Sequence, residues 1–290
     1  VNLKGWNIFA HSTPQDVADA VATGATLLRF QMVPEPGLAQ NAPLNQWAGL
    51  LNQYFAAIDS FLPLLGNAQM LLDLHQPPGG WHGKRCLKEE AYRGALVWVW
   101  QQIAERYKDA PGIIGYGLMN EPDCTGAECK RLMLQLFNVV RSIDKRKIIS
   151  VTCPWSRPQD MDKCIDLGTT GIWYEVHFYE PQTLTHQGLG DRKTPQVYPS
   201  RKFDRSELVK KLHLCWRLKQ KNKQVFVGEF SIDTFADPQS RLMYLRDCVS
   251  AFNTYNFHWC FHCWREGDSK LWDGESGAVG EFLKQEMKRG

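Results

Sequence analysis

Short apolar or β-branched runs recur along the chain, at 2–9, 26–31, 69–75, 113–120, 147–152, 172–179, 224–230 and 257–264. Between them lie stretches in which apolar residues return every three or four positions, the period of a helix with one buried face. In 46–64, for example, Trp47, Leu50, Leu51, Tyr54, Phe55 and Ile58 follow that spacing. The same period predicts helices over 89–108, 127–143, 204–221, 238–254 and 277–288. Punctuation agrees with the pattern. Thr13-Pro14 and Asp237-Pro238 read as a cap followed by proline in the first turn, and Gly24 closes the first helix.

Eight strands alternating with helices imply parallel pairing through right-handed crossovers. No strand leads into a GxGxxG or P-loop sequence, so an open dinucleotide- or nucleotide-binding sheet is disfavoured. Eight repeats predict an α/β fold of one kind: a single (β/α)8 TIM barrel occupying 1–290 as one catalytic domain.

Composition changes this picture little. A chain with 43% hydrophobic and 22% charged residues can form a large core, and a net charge of +3 with dispersed Lys and Arg suggests no nucleic-acid partner. No apolar run approaches the ~20 residues of a membrane span. The nine cysteines leave two readings. The pairs Cys124/Cys129 and Cys153/Cys164 would make disulfides in an oxidising compartment, or the thiols are small buried hydrophobes. There is no HExxH and no pairing of CxxC motifs, so the sequence predicts no metal and no cofactor.

In a barrel of this type, reactive groups sit at the C-terminal strand ends. The polar residues closing the runs are Arg29, His75, Asn120, Glu121, His177, Tyr179, Glu229 and Trp264. Alternation places Glu175, His177 and Tyr179 on one face of their run and Asp73 with His75 on another, which predicts an interior polar layer with each member paired. Breaking a glycosidic bond needs a proton donor for the leaving oxygen and a carboxylate at the anomeric carbon. Glu121 and Glu229, on strands four and seven, would meet across the barrel mouth at the ~5 Å of a retaining enzyme. Glu229 would be the nucleophile, kept ionised by Arg29 and Tyr179. Glu121, poorly solvated, would keep its proton as acid and later act as base. Asn120 would bond the sugar 2-hydroxyl, His177 would orient a carboxylate and His75 the sugar. Trp264 would floor the subsite of the reacting ring.

These residues carry a family resemblance. GLMNEPD at 117–123, HFYEP at 177–181, VGEFS at 227–231, LLRF at 27–30, LKGWN at 3–7 and LDLHQ at 72–76 resemble glycoside hydrolase family 5 over essentially the whole chain. The resemblance implies metal-free double displacement with retention at a β-glycosidic bond and carries the catalytic pair over to Glu121 and Glu229. Two departures stand out. His75 is followed by Gln76, which leaves its partner open, and the eighth run is rich in His and Cys. If His262 shares a face with Trp264, either a bulge or a buried pairing is required there.

The expected partner is a β-linked oligo- or polysaccharide, with β-1,4-glucan cleaved internally favoured and β-mannan next. Trp81 and His82 on the third loop and Trp155 on the fifth are candidate substrate contacts, while the long sixth loop, 180–201, could form a cleft wall. A glycan-binding barrel without activity and a metal hydrolase using His75 and His177 are the rivals. A monomer acting outside the cytoplasm, secreted or periplasmic, completes the expectation, with Val1 standing where a trimmed chain would begin.

Overall fold

The computed structural model describes residues 2–34, 43–192, 194–265, 272 and 274–289. Its eight strands are β1 (Lys4–Phe9), β2 (Leu27–Gln31), β3 (Gln69–Asp73), β4 (Ile113–Gly117), β5 (Ile148–Thr152), β6 (Ile172–Phe178), β7 (Gln224–Phe230) and β8 (His258–Phe261). All neighbours pair in parallel and β8 returns to β1, closing the barrel predicted from the alternation. The helices around it are α1 (Pro14–Ala22), α2 (Trp47–Phe61), α3 (Lys84–Lys88), α4 (Glu90–Tyr107), α5 (Gly126–Ile143), α6 (Gln182–Thr185), α7 (Arg205–Lys211), α8 (His213–Gln220), α9 (Pro238–Thr254) and α10 (Gly277–Lys288).

Local chemistry explains the helix starts. Thr13 accepts from the Asp16 amide while Asp16 bonds back to the Thr13 amide, a reciprocal cap, and the Asp237 side chain caps α9 through Ser240. The single helix expected over 204–221 is two, because Leu212 departs from helical dihedrals (φ −90°, ψ 2°). The apolar period crosses that break undisturbed, since Leu208, Leu212 and Cys215 are all fully buried. Periodicity alone therefore could not reveal it.

Strand alternation sorts the core into two parts. Outward residues such as Leu28, Phe30, Leu72, Tyr174 and Val227 pack under the helices, whereas Leu27, Leu71, Trp173, Phe226 and Cys260 form a separate apolar layer inside the barrel. Two residues further along the same strands come Arg29, Asp73 and Glu175, all buried. The barrel interior thus turns from apolar to ionic in one layer, towards the C-terminal strand ends.

One irregularity serves that change. The β6–β7 register shifts between Val176 and His177, so Val176 faces Val227 but His177 faces Glu229. Gly228 is the extra residue. A Cβ there would lie 2.2 Å from the Glu175 carboxylate, so only glycine leaves room for that buried acid. Beyond the bulge Glu229 points inward and Phe230 outward into the helix-facing core.

No disulfide joins the described cysteines, eight of which are buried and Cys124 half-buried, so neither expected disulfide is formed and the small-hydrophobe reading holds. Among the described residues, no helix is long and apolar enough to cross a membrane.

Candidate active site

Arg29, on β2, organises the mouth of the barrel. Its guanidinium is fully buried and reaches Glu229 at 2.9 Å, Glu175 at 2.9 Å and Asp73 at 3.1 Å. It also donates to Asn7 at 3.0 Å and Asn120 at 2.9 Å. Burial by itself favours loss of the proton, but the three carboxylates reverse this and hold Arg29 above its ordinary range. A permanent cation beside them favours the ionised forms of Glu175 and Glu229.

Glu229 is the most tightly held of them. Its Oε1 accepts from Arg29 and, at 3.2 Å, from Gln31, while its Oε2 accepts from the Tyr179 hydroxyl at 3.0 Å. Burial opposes ionisation, yet the charges of His177, His262 and Arg29 outweigh it and hold the carboxyl well below the usual range. Burial and the two neighbouring glutamates push the Tyr179 phenol well up, so it remains a donor.

Glu121 sits across the opening from it, in a different setting. Its Oε1 lies 2.7 Å from His177 Nδ1, and its side chain retains 24% exposure against 7% for Glu229. The poorly solvated acid expected from the sequence is therefore the more open of the pair, reached by solvent until a substrate covers it. Its backbone has φ +30°, in the left-handed region that costs an L-residue about 1–2 kcal/mol. A Glu121 oxygen, a Glu229 oxygen and a His177 nitrogen all fall within 4.8 Å of one another.

His177 bridges the two. Burial would lower its pKa, but Glu229, Glu121 and Glu175 raise it to about 10, so the ring is an imidazolium at neutral pH. The three donor atoms are close enough to share an ion. At rest they form a hydrogen-bond network, with His177 Nδ1 2.7 Å from Glu121 and 3.7 Å from Glu229.

The open question at His75 is answered by Asp73, whose carboxylate lies 2.9 Å from Nδ1. A carboxylate accepts, so Nδ1 carries the proton and Nε2 can accept from Asn120 Nδ2 at 3.4 Å. Asn120 is thereby clamped between Arg29 and His75, with the second hydrogen of its amide left for a ligand. Glu175 is completed by Ser150, which donates at 2.7 Å.

Strand β8 requires a correction. Trp264 is 3% exposed and packs on Trp6 with ring centroids 4.9 Å apart, beneath the cations of Arg265 and Lys284. It belongs to the helix-facing core and does not floor the site. The His262–Cys263 peptide is cis, and the side chain that faces the nucleophile is His262, with Nδ1 3.9 Å from Glu229 and 3.3 Å from Gln31. An indole that does border the site on this side is Trp272, 5.8 Å from the Tyr179 ring and 6.1 Å from His262. Of the supporting residues missed from sequence, Asn7 and Gln31 were visible in principle. Gln31 continues the Leu27–Arg29 alternation, and Asn7 faces Arg29 in register. Trp272 lies on a loop with no periodic signal.

The loop aromatics form a continuous wall. Trp81 meets His75 edge-on at 5.6 Å, His82 follows at 6.2 Å, and Trp155 packs on His82 at 4.6 Å. Trp155 lines a cleft with Glu121, Arg157, His177, Tyr179, Glu180 and Gln182. The wall thus runs from the Glu229 side to the outer side of Glu121.

Comparison with known proteins adds ancestry to this geometry. The family model described as cellulase (glycosyl hydrolase family 5) matches residues 1–268. Endoglucanase C of Acetivibrio thermocellus is 22% identical over 261 residues, covering 77% of this chain and 76% of the relative. Endoglucanase Cel5A of Thermotoga maritima superposes with a TM-score of 0.77 at 18% identity, over 98% of this chain and 96% of that one. The cellulose synthase subunit Z of Clostridioides difficile gives 0.77 at 17% identity, over 99% of each chain.

Proposed function

The chain belongs to glycosyl hydrolase family 5 and is a glycoside hydrolase, and we propose that it cleaves β-1,4-glucan internally with retention, using Glu229 as nucleophile and Glu121 as acid/base. One observation carries the mechanism: carboxylate oxygens of the two residues lie within 4.8 Å, across a site that keeps one buried and ionised and the other open. That separation fits direct attack on an anomeric carbon and leaves no space for the water an inverting enzyme needs.

In the first step Glu229 Oε2 attacks while Glu121 gives its proton to the leaving oxygen. In the second, Glu121 takes a proton from water, which displaces Glu229 from the sugar. Between the steps His177 is available to balance the charge on Glu121, as their 2.7 Å contact supports. Asn120, fixed by Arg29 and His75, offers its remaining amide hydrogen to the 2-hydroxyl. Trp81 and Trp155 supply aromatic faces along which further sugars can lie.

Glucan is favoured because the curated relatives matched over most of their length are endoglucanases. The Thermotoga enzyme has been crystallised with cellobiose and with mannotriose, which keeps mannan as the second candidate. The test is a product profile on carboxymethylcellulose, mixed-linkage glucan, xyloglucan and mannan, with viscosity followed alongside reducing ends. The proposal expects rapid loss of viscosity on the two linear glucans. Preference for mannan would overturn the substrate, and binding of cello-oligosaccharides without release of reducing ends would overturn the activity. Loss of activity with a chelator would revive the metal rival. A polymeric substrate also leads us to propose action outside the cytoplasm as a monomer. Fractionation and light scattering test the two points.

A further inference from the structure

We propose that His82 is a positioning residue for the acid/base, holding Glu121 by its main chain; the inference rests on the role given to Glu121 above. The turn that presents Glu121 is strained, with φ +30° at a non-glycine residue. Such a conformation persists only where its surroundings impose it. Three hydrogen bonds do so. His82 Nδ1 lies 3.0 Å from the Glu121 carbonyl oxygen. The Asp123 amide donates to the His82 carbonyl at 3.1 Å, and the Trp155 amide donates to the Pro122 carbonyl at 3.0 Å.

Two of these three bonds come from one residue. His82 brackets the Glu-Pro-Asp turn, its ring bonding the first residue and its carbonyl the third. A carbonyl oxygen can only accept, so Nδ1 must carry the hydrogen. The two residues that clamp the turn are themselves left-handed, His82 at φ 58° and Trp155 at φ 56°, and their rings pack at 4.6 Å. Strained positions on three loops therefore converge on two consecutive peptide groups, the first of them the Glu121–Pro122 peptide. That peptide adjoins the Cα from which the Glu121 carboxyl extends to His177.

The consequence for catalysis is specific. If the His82 bond is lost, the peptide can relax and swing the carboxyl away from the leaving oxygen. Proton delivery suffers, whereas attack by Glu229 on a substrate that needs no proton does not. A residue that merely stacked on sugar would instead alter binding of every substrate alike.

The experiment compares His82→Phe, His82→Asn, Glu121→Ala and the wild type on aryl β-cellobiosides, from dinitrophenyl to phenyl leaving groups, with melting midpoints measured in parallel. The inference expects kcat/KM of His82→Phe, which reports the first step, to fall ~10–10²-fold on the phenyl substrate and to stay within about two-fold on the dinitrophenyl one, as expected for a misplaced group. His82→Asn, whose amide can donate near the Nδ1 position, should recover most of the loss. Equal losses of kcat/KM on both substrates, or an Asn variant no better than Phe, would overturn it. If Glu121→Ala itself fails to discriminate between leaving groups, the acid/base reading falls and this inference with it. If Glu121→Ala discriminates and His82→Phe does not, only the role of His82 is lost.

Discussion

The two glutamates come within 4.8 Å of each other, yet they are built by opposite means. Glu229 is fixed by its carboxylate, which side chains from β2 and the end of β6 reach as Arg29, Gln31 and Tyr179. Glu121 is fixed by its backbone, which loops after β3 and β5 hold through His82 and Trp155. The difference follows from the chemistry asked of each. A nucleophile needs one charge state and gains from every donor placed on it. A group that gives and retakes a proton cannot be locked in that way, so its support is applied to the peptide and, among the described residues, only His177 touches its carboxyl.

The sharpest way to break the comparison is to empty the strand-built side. Glu229→Gly should lower hydrolysis by ~10⁴-fold or more, as removal of a nucleophile does. Azide should then restore turnover and give a glycosyl azide of inverted configuration, because it attacks in a single displacement from the face that Glu229 vacated while Glu121 still protonates the leaving oxygen. A product of retained configuration would show that Glu229 is not the nucleophile.

Smaller, and read in stability, is the effect of removing the cation. Arg29→Met leaves Asp73, Glu175 and Glu229 buried together, which should cost about 3–5 kcal/mol in urea unfolding. A loss below about 1 kcal/mol would mean that these acids are neutral in the native protein. A gentler probe is pH. His177 titrates near 6.5 when unfolded and near 10 when folded, with its charge sustained by Glu229, Glu121 and Glu175 against burial. The folded state therefore holds a proton that the unfolded chain releases. The resulting stability is complete below pH ~6.5 and is lost as pH rises towards 10. The melting midpoint should fall across that window and fall less in His177→Gln. An equal fall in both proteins would assign the slope to other groups.

The same contrast explains what could be read from the sequence. Strand-borne groups were legible because a period of two ties each side chain to one face, as in Leu27–Arg29, Trp173–Glu175–His177 and Leu71–Asp73–His75. The barrel and the positions of its strands follow from that regularity. Loop-borne features were not. Nothing in GGWHG announces a ring bonded to the Glu121 carbonyl, and nothing before Trp272 announces an indole beside Tyr179. The solvation of Glu121 was misread for a related reason, since burial at a strand end depends on how the loops above it close. The two cysteine pairs show the limit of spacing: residues close along the chain stayed separate thiols.

The smallest effect tests the end of β8, where alternation misled. Extending the strand through residue 264 put Trp264 on the catalytic face. In the structure its ring packs on Trp6, and His262 faces Glu229. Trp264→Phe keeps an aromatic ring in that core and removes part of its volume, so it should lower stability by about 1–2 kcal/mol. The values of kcat and KM for a cello-oligosaccharide should stay within about two-fold, since no atom of the site loses a partner. A substituted floor would behave otherwise, because a smaller ring beneath the reacting sugar would raise KM or lower kcat while the melting midpoint held. Kinetics and unfolding on this one variant therefore decide whether the eighth strand contributes its indole to the substrate or to the core.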